Sequence, residues 1–244
     1  MKSFIPWCGG KSVLAKQIVP LLPDDIQRYI EVFGGGGSVM FYGNQPRAPL
    51  EIYNDFNHDL VNLLRCVKYH CTELQREIDG YFNCREWFDD IKKQMEIKGF
   101  TDIQRAAMFY FMVKISFGAK INDFGCNKKA LSTDYLPAIS ERLKKVVIEN
   151  KDFEDLIRNY DRPNALFYCD PPYFKTEYYY DIAFSENDHK RLKQCLSNIK
   201  GKFVLSYNDC EFVRDLYRDF DICSVERTNN LYRGTYKELI IKNY

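Results

Sequence analysis

Apolar runs alternate with helical repeats of apolar positions near both ends of the chain. The apolar runs predict strands at residues 28–33, 50–54, 146–150, 165–169, 202–208 and 238–244. The helical repeats predict helices at residues 12–22, 57–70, 137–146, 186–199 and 211–220. This alternation is typical of an α/β sheet with helices packed on it.

The middle of the chain departs from that alternation. Residues 72–118 are charged and helical in pattern, and residues 119–135 contain the asparagine, aspartate and glycine of a hairpin or loop. We therefore expect a helical and hairpin insert. The predicted division of the chain is an insert at 68–145 and an α/β domain formed by 1–67 and 146–244.

The composition indicates a globular protein whose charges nearly balance. The chain has 244 residues, of which 45% are hydrophobic, with 35 basic and 34 acidic side chains and a net charge of +1. That length fits one large domain or one domain with an insert. The balance excludes a basic coat of the histone kind, so any nucleic-acid site must be a local patch.

The cysteines predict free thiols in a reducing cytoplasm. The sequence has nine of them, an odd number without CxxC pairs. Cys66 and His70 have the spacing of two helix-borne ligands, but no second pair accompanies them, so we expect no metal. The chain has no apolar run suited to a signal peptide, nor one near the ~20 residues of a membrane span.

A glycine turn follows the strand at residues 28–33. Its residues, with the strand positions expected beside a ligand, are Glu31, Phe33, Gly34, Gly35, Gly36 and Gly37. A turn of this kind, leading into a helix start, lets a ligand approach the backbone and leaves N–H groups free. Asp55 ends the next strand, where a carboxylate accepts hydrogen bonds from ribose hydroxyls. Together they indicate an adenosine-containing cofactor, although a flexible turn and a helix-capping Asp is the plainer interpretation of each alone.

The run Asp170, Pro171, Pro172 and Tyr173 ends the apolar strand at residues 165–169. Its plain interpretation is a strand terminator, because proline cannot donate to a sheet. A carboxylate and a fixed carbonyl can also accept both N–H bonds of a base amine, which directs the nitrogen lone pair at an electrophile. The tyrosine ring offers a face on which an extruded base can stack.

A third motif contains Trp7 and Lys11 in the run PWCGGKS. Its GKS ending suggests a phosphate-binding P-loop, but Ile5 stands where the first glycine would be and no strand precedes it. We therefore reject a nucleotide triphosphatase. Lys11 remains a candidate to hold a carboxylate or phosphate, against the simpler role of a solvated turn lysine.

These motifs and their order resemble the Dam-type (D12 class) adenine-N6 DNA methyltransferases. The resemblance rests on PWCGGKSVL, YIEVFGGGGSV, CDPPY and the closing ELIIKNY, and it covers nearly the whole chain. It implies a Rossmann-like sheet that uses S-adenosylmethionine, with Trp7, Lys11, Asp55 and Asp170 at the cofactor and 170–173 as the catalytic loop. The residues that it places at the cofactor adenine are Asp152 and Phe153.

The same resemblance implies that the insert recognises double-stranded DNA. Residues 116–148 contain six basic and three acidic side chains, a local charge of +3 that a merely solvated face would also show. We expect Asn122 or Asn127 to read an adenine edge and Lys120 a guanine, with Lys128 and Lys129 on the DNA beside them. The insert lacks the Arg-Tyr-Gly-Tyr-Asn run of GATC-specific enterobacterial members, so the target sequence stays open.

The expected reaction is direct methyl transfer to N6 of a flipped adenine, without a covalent intermediate. The chain has no Pro-Cys pair, which argues against C5-cytosine methylation. An N4-cytosine methyltransferase and a non-catalytic DNA-binding relic remain alternatives. At the position of Asp170, N4-cytosine enzymes more often have Ser, and RNA or protein-amide methyltransferases usually have Asn. Asp170 therefore favours adenine as the target. We expect a cytoplasmic monomer, near the nucleoid of a bacterial or phage-infected cell, with a restriction endonuclease as a possible separate partner.

Overall fold

The computed structural model describes residues 3–125, 131–175, 184–228 and 235–244. Its strands form one seven-stranded sheet in the order β3-β2-β1-β4-β5-β7-β6. The strand bounds are β1 Arg28–Glu31, β2 Leu50–Asn54, β3 Val146–Glu149, β4 Ala165–Cys169, β5 Lys202–Asn208, β6 Asp221–Thr228 and β7 Thr235–Lys242.

Helices flank the sheet and connect its parallel strands. Their bounds are α1 Ala15–Ile18, α2 His58–Tyr69, α3 Cys71–Asp79, α4 Arg85–Gln94, α5 Asp102–Ile115, α6 Leu136–Leu143, α7 Phe153–Tyr160, α8 Glu186–Ser197 and α9 Glu211–Leu216. Short 3₁₀ turns occur at Val19–Leu21, Tyr42–Asn44 and Phe117–Ala119.

The strand order places a ligand crevice between β1 and β4. The strands β3, β2, β1, β4 and β5 are parallel, whereas β7 is antiparallel to both β5 and β6. The chain moves outward from β1 to β2 on one side and resumes with β4 on the other. In such sheets ligands bind at this reversal, beyond the carboxyl ends of the strands. The architecture is the Rossmann-like methyltransferase sheet that the sequence led us to expect.

Alternate side chains of each strand enter two separate cores. Tyr29, Tyr168 and Ile240 face the helices α2, α3, α5 and α6, whereas Ile30 and Phe167 face α7, α8 and α9. Helices therefore cover both faces, which explains why the parallel strands are continuously apolar in sequence.

The segment after the glycine turn differs from the expected helix start. Residues 38–44 form turns and the short 3₁₀ turn instead, because Gly43 and Asn44 adopt left-handed φ angles of 67° and 58° and Pro46 follows. The structure also contains two elements that the sequence patterns did not indicate. They are the eight-residue helix α7 and the exposed, polar edge strand β6.

The predicted insert shares its packing with the sheet domain. Helix α5 is buried all round: Phe109 and Val113 join the core of the sheet, while Phe111 and Met112 pack against α4 through a third cluster. Helix α6 packs against α2 and is joined to β2 by a buried ion pair. The boundaries at 68 and 145 stay a prediction.

Candidate active site

A cleft of about 1020 Å³ opens at the carboxyl ends of β1, β2 and β4. Its walls combine the motifs that the sequence separates widely: the PWCGGK segment, the glycine turn, the end of β2 and the start of the loop after β4. Predicted site residues that line it are Trp7, Lys11, Glu31, Phe33, Gly34, Gly35, Gly36, Asp55, Asp152, Phe153, Asp170 and Pro172.

The glycine turn packs too closely against its neighbours to accept side chains. A Cβ added to Gly34 would lie 2.2 Å from the buried Tyr53 ring, and one on Gly35 would lie 2.6 Å from Trp7. The Tyr53 hydroxyl donates to the Gly35 carbonyl at 2.7 Å. Gly37 has a φ of 66°, a backbone conformation that glycine tolerates best. The glycines thus allow the end of β2 and the PWCGGK segment to pack closely against the turn.

Asp55 holds this turn to the start of α2. Its Oδ2 accepts from the Gly35 amide and its Oδ1 from the Asn57 amide, each at 2.8 Å. The helix cap itself is Asn57, whose side chain accepts from Leu60. Burial raises the pKa of Asp55. Each carboxylate oxygen can accept a second hydrogen bond, so Asp55 can still bind a ligand hydroxyl.

Glu31 ends β1 beneath the cleft. Its Oε2 accepts from the Tyr29 hydroxyl at 2.8 Å and from the Met40 amide at 2.9 Å. Burial raises the pKa of Glu31 to about 8. Glu31 thus lines the cleft and also fixes the segment after the glycine turn through Met40.

Three phenylalanines form an aromatic wall on one side of the cleft. Phe33, Phe153 and Phe184 have ring centroids 5.8–5.9 Å apart. The Arg191 guanidinium lies 4.7 Å from the Phe153 centroid and also pairs with Asp152 at 3.0 Å. The wall is a suitable surface for a flat heteroaromatic ring.

The carboxylate of Asp170, in the loop after β4, is held through its Oδ1 atom. Lys11 Nζ lies 2.9 Å from its Oδ1, and the Ser206 hydroxyl donates to the same atom at 2.8 Å. No contact to Oδ2 is described among the placed residues. Burial raises the pKa of Asp170, while the ammonium of Lys11 opposes that effect. The side chain thus presents a free acceptor beside the cleft, with a raised affinity for a proton.

Tyr173 lies behind Asp170. Its hydroxyl donates to Glu238 Oε2 at 2.6 Å, and Lys11 Nζ lies 4.4 Å from the centroid of its ring. Pro171 is buried, whereas Pro172 reaches the cleft. Both prolines fix φ, so the Pro171 carbonyl and the tyrosine ring leave the sheet in set directions.

A tight turn follows α5, and its Lys120 is close enough to Cys8, in the wall of the cleft, to act on that thiol by its charge. Ser116 and Phe124 form an isolated antiparallel bridge, and Ala119 and Ile121 adopt positive φ angles of 58° and 66°. A β-branched residue in that region is strained, which marks a conformation imposed by its surroundings. Phe117, 66% exposed, projects from the turn.

Lys120 of this turn is close to the PWCGGK segment. Burial raises the pKa of the Cys8 thiol, and the charge of Lys120 opposes that rise. Asn122 is on the same turn, where its carbonyl accepts from Lys92 of α4 at 3.0 Å. The other predicted DNA contacts, Asn127, Lys128 and Lys129, lie outside the described residues.

The model of the D12 class N6 adenine-specific DNA methyltransferases matches residues 7–231. The chain belongs to that family. Site-specific methylation of adenine in DNA is the activity of this family, and a methyltransferase of this family and fold uses S-adenosylmethionine.

Similar proteins cover the chain from end to end. A type II methyltransferase, M1.LlaDCHI of Lactococcus lactis, is 29% identical and covers 100% of this chain and 96% of its own. A DNA adenine methylase of Haemophilus influenzae is 24% identical, and the match covers 99% of this chain and 91% of that protein. Among solved structures, an rRNA methylase of Streptococcus thermophilus is 9% identical with a TM-score of 0.41. The match covers 95% of this chain and 96% of that one.

The D12 motifs lie together in one cleft, but the sequence did not indicate several residues that contact them. Those partners are Phe184, Arg191, Ser206 and Glu238. Ser206 interrupts the apolar run of β5, which was an available signal. Glu238 follows Lys237 and only borders the apolar residues 239–241 of β7, so its strand gave no comparable signal. In contrast, Arg142, one of the six basic residues of 116–148, is buried against Glu51 and so adds no charge to an exposed basic surface.

The described part of the chain offers neither a metal-binding group nor a membrane-spanning helix. Within residues 3–125, 131–175, 184–228 and 235–244, no group of three or more His, Cys, Asp or Glu side chains could hold a metal ion. None of the helices in those ranges has the length and hydropathy of a membrane span.

Proposed function

We propose that the cleft binds S-adenosylmethionine and that Asp170 orients N6 of an adenine drawn out of double-stranded DNA. The observation that carries this proposal is the position of Asp170 in the wall of a cleft whose other walls suit an adenosine. Its contacts to described residues are made through Oδ1. The proposed catalytic residues are Asp170, Pro171, Pro172 and Tyr173.

The cleft residues fit the parts of this cofactor. The aromatic wall of Phe33, Phe153 and Phe184 suits the adenine ring. Asp55 suits the ribose hydroxyls, and Lys11 suits the carboxylate of the methionine part. When bound, S-adenosylmethionine supplies an electrophilic methyl group on a sulfonium.

The loop after β4 then prepares the amine. Asp170 Oδ2 and the Pro171 carbonyl accept the two N–H bonds of N6, which reduces delocalisation of its lone pair into the ring. The negative charge of Asp170 stabilises the positive charge that develops on nitrogen. Because burial raises the pKa of Asp170, the same carboxylate is suited to receive the proton that N6 releases.

Extrusion of the base costs a few kcal/mol of stacking. Stacking on the Tyr173 ring returns roughly 1–3 kcal/mol. Phe117, exposed on the turn near the cleft, is a further candidate to contact the DNA bases that remain. Neither motif analysis nor the charge pattern had indicated it.

The test of this function is chemical analysis of the product. Purified chain, incubated with plasmid DNA and methyl-labelled S-adenosylmethionine, is expected to yield N6-methyladenine after digestion to nucleosides. N4-methylcytosine would instead support the alternative amine, and absence of label would support a non-catalytic protein. Methylation-sensitive sequencing of the same DNA identifies the target site.

We predict that Asp55→Asn weakens cofactor binding by about tenfold, because one hydrogen bond at this position would be left unmatched. Both oxygens of Asp55 accept backbone N–H groups, and an amide NH₂ would oppose one of them. Equilibrium dialysis with labelled cofactor measures the change. Asp209→Asn, on the loop after β5, is the control; equal affinity of Asp55→Asn and the wild type would contradict the prediction.

We also predict that Lys120→Ala makes the salt dependence of DNA binding shallower, by about 0.9 in the slope of log K against log salt for one phosphate contact. The double variant Lys128→Ala with Lys129→Ala should lower it by roughly twice that amount if both contact phosphate. Lys145→Ala, at the amino end of β3, is a matched control because that end lies opposite the cleft. An unchanged slope would exclude a phosphate contact of Lys120.

A further inference from the structure

Glu238 is a buried carboxylate in the last strand of the sheet. It is 4% exposed, and the three residues that follow it in β7 are buried and apolar. It pairs in register with Asn208, at the carboxyl end of β5, so its side chain lies at the edge of the sheet where the cleft opens. A charge in such a position is costly unless strong hydrogen bonds satisfy it.

The described contact of that carboxylate is to the catalytic loop. The Tyr173 hydroxyl donates to Glu238 Oε2 at 2.6 Å, a short and direct hydrogen bond. Burial, Asp170 and Glu238 together raise the pKa of Tyr173 well above its usual value. The phenol therefore keeps the proton that makes this bond.

This bond sets the direction of the tyrosine ring. The Pro-Pro pair fixes the backbone before Tyr173, but the ring can still turn about its two side-chain torsions. Anchoring of the hydroxyl restricts both torsions. Lys11, which pairs with Asp170, lies 4.4 Å from the ring centroid and is the second constraint.

We propose that Glu238 is a positioning residue for methyl transfer: it fixes the Tyr173 ring against which the extruded adenine rests. The proposal depends on the function proposed above, in which Tyr173 contacts the base. In this proposal Glu238 acts on methyl transfer through Tyr173 and contacts neither the cofactor nor the DNA. Its loss should therefore affect the step that holds the extruded base and should spare cofactor binding.

The experiment compares kcat, KM for DNA and cofactor affinity in Glu238→Ala and Glu238→Gln, using DNA that contains the target site found by sequencing. Misplacement of a reacting group by about 1 Å can cost roughly 100-fold in rate, and we expect Glu238→Ala to lower kcat by about 10- to 100-fold. Glu238→Gln keeps an acceptor oxygen of the same shape, so it should recover most of that loss. Cofactor affinity should stay within about twofold in both variants.

A double-mutant cycle with Tyr173→Phe provides the sharper readout. If Glu238 works through the tyrosine hydroxyl, Glu238→Ala should cause little further loss of kcat in the Tyr173→Phe background. Fluorescence of 2-aminopurine at the target position should change in parallel, because it reports how the extruded base stacks. Glu226→Gln, on exposed β6, is the matched control and should behave as the wild type.

Wild-type methyl transfer is the first measurement, since its absence would refute the proposed function and not the role of Glu238. Given an active wild type, a normal kcat in Glu238→Ala would overturn the proposal. Additive losses of kcat in the double-mutant cycle would also overturn it. The same holds if cofactor affinity and melting temperature fall together with kcat in both Glu238 variants.

Discussion

Asp170→Ala is expected to lower kcat for DNA methylation by about 10³-fold, the range for loss of one preorganised polar catalytic group. The substitution removes the proposed acceptor for the target amine and the negative charge that would stabilise the positive charge developing on it. DNA affinity should change little, because Asp170 lies within the cleft and not on the outer turn. Single-turnover transfer of labelled methyl groups to DNA measures the effect.

Asp170→Asn is the matched variant. It keeps the size of the side chain and one acceptor oxygen but loses the charge, so its rate should fall between those of wild type and Asp170→Ala. Melting temperature and cofactor affinity are measured with it, because Asp170→Ala leaves the Lys11 ammonium, 4% exposed, without its carboxylate. A rate within threefold of wild type, in a folded Asp170→Ala protein, would contradict the proposed role.

The pH dependence of kcat should also reveal the role of the Asp170 charge. Protonated Asp170 cannot stabilise positive charge on the amine, so kcat should fall as the pH is lowered through its pKa. Burial raises that pKa above the ordinary aspartate value of about 3.9. Lys11→Met removes the ammonium that lowers the pKa, so at saturating cofactor it should move the acid limb to higher pH. Asp170→Asn should show no such limb.

Glu51→Ala is expected to destabilise the protein by about 3–5 kcal/mol, the cost of breaking a buried ion pair from one side. Arg142 Nη1 and Nη2 lie 2.5 and 2.6 Å from the two Glu51 oxygens, and the two side chains are 6% and 4% exposed. The substitution leaves the Arg142 charge buried. Against a total stability of roughly 5–15 kcal/mol, this loss is large, and urea unfolding followed by circular dichroism measures it.

A double variant separates the buried charge from lost packing. Glu51→Leu with Arg142→Met replaces both charges by apolar groups of similar size, an exchange that is often neutral or stabilising. We therefore expect the double variant to be more stable than Glu51→Ala. If it is equally unstable, the loss comes from packing and the ion-pair explanation fails.

The strands and the main motifs could be predicted because their signals are local. The Asp-Pro-Pro-Tyr run stops its own strand, and the glycine turn follows its own apolar run. The helix expected after the glycines was wrong, since two left-handed residues end it within a turn. Strand β6 gave no apolar alternation because it is an exposed edge.

The partners of the site could not be predicted, because long-range pairing creates them. Ser206 lies 36 positions from Asp170 in sequence, and Glu238 lies 65 positions from Tyr173. Arg191 meets Asp152 only because α8 packs beside α7. The basic patch was overstated for the same reason: nothing local to Arg142 reveals that Glu51, on β2, buries it.

Helix α5 has an evolutionary consequence. It contributes one face to the sheet core and the other to α4, and the turn that carries Phe117 and Lys120 begins at its end. A segment built this way cannot be exchanged between relatives as a cassette, because its removal would open the hydrophobic interior of the protein. On the proposal that the turn contacts DNA, new DNA preferences would instead arise by point changes on the turn, with the helices beneath it retained.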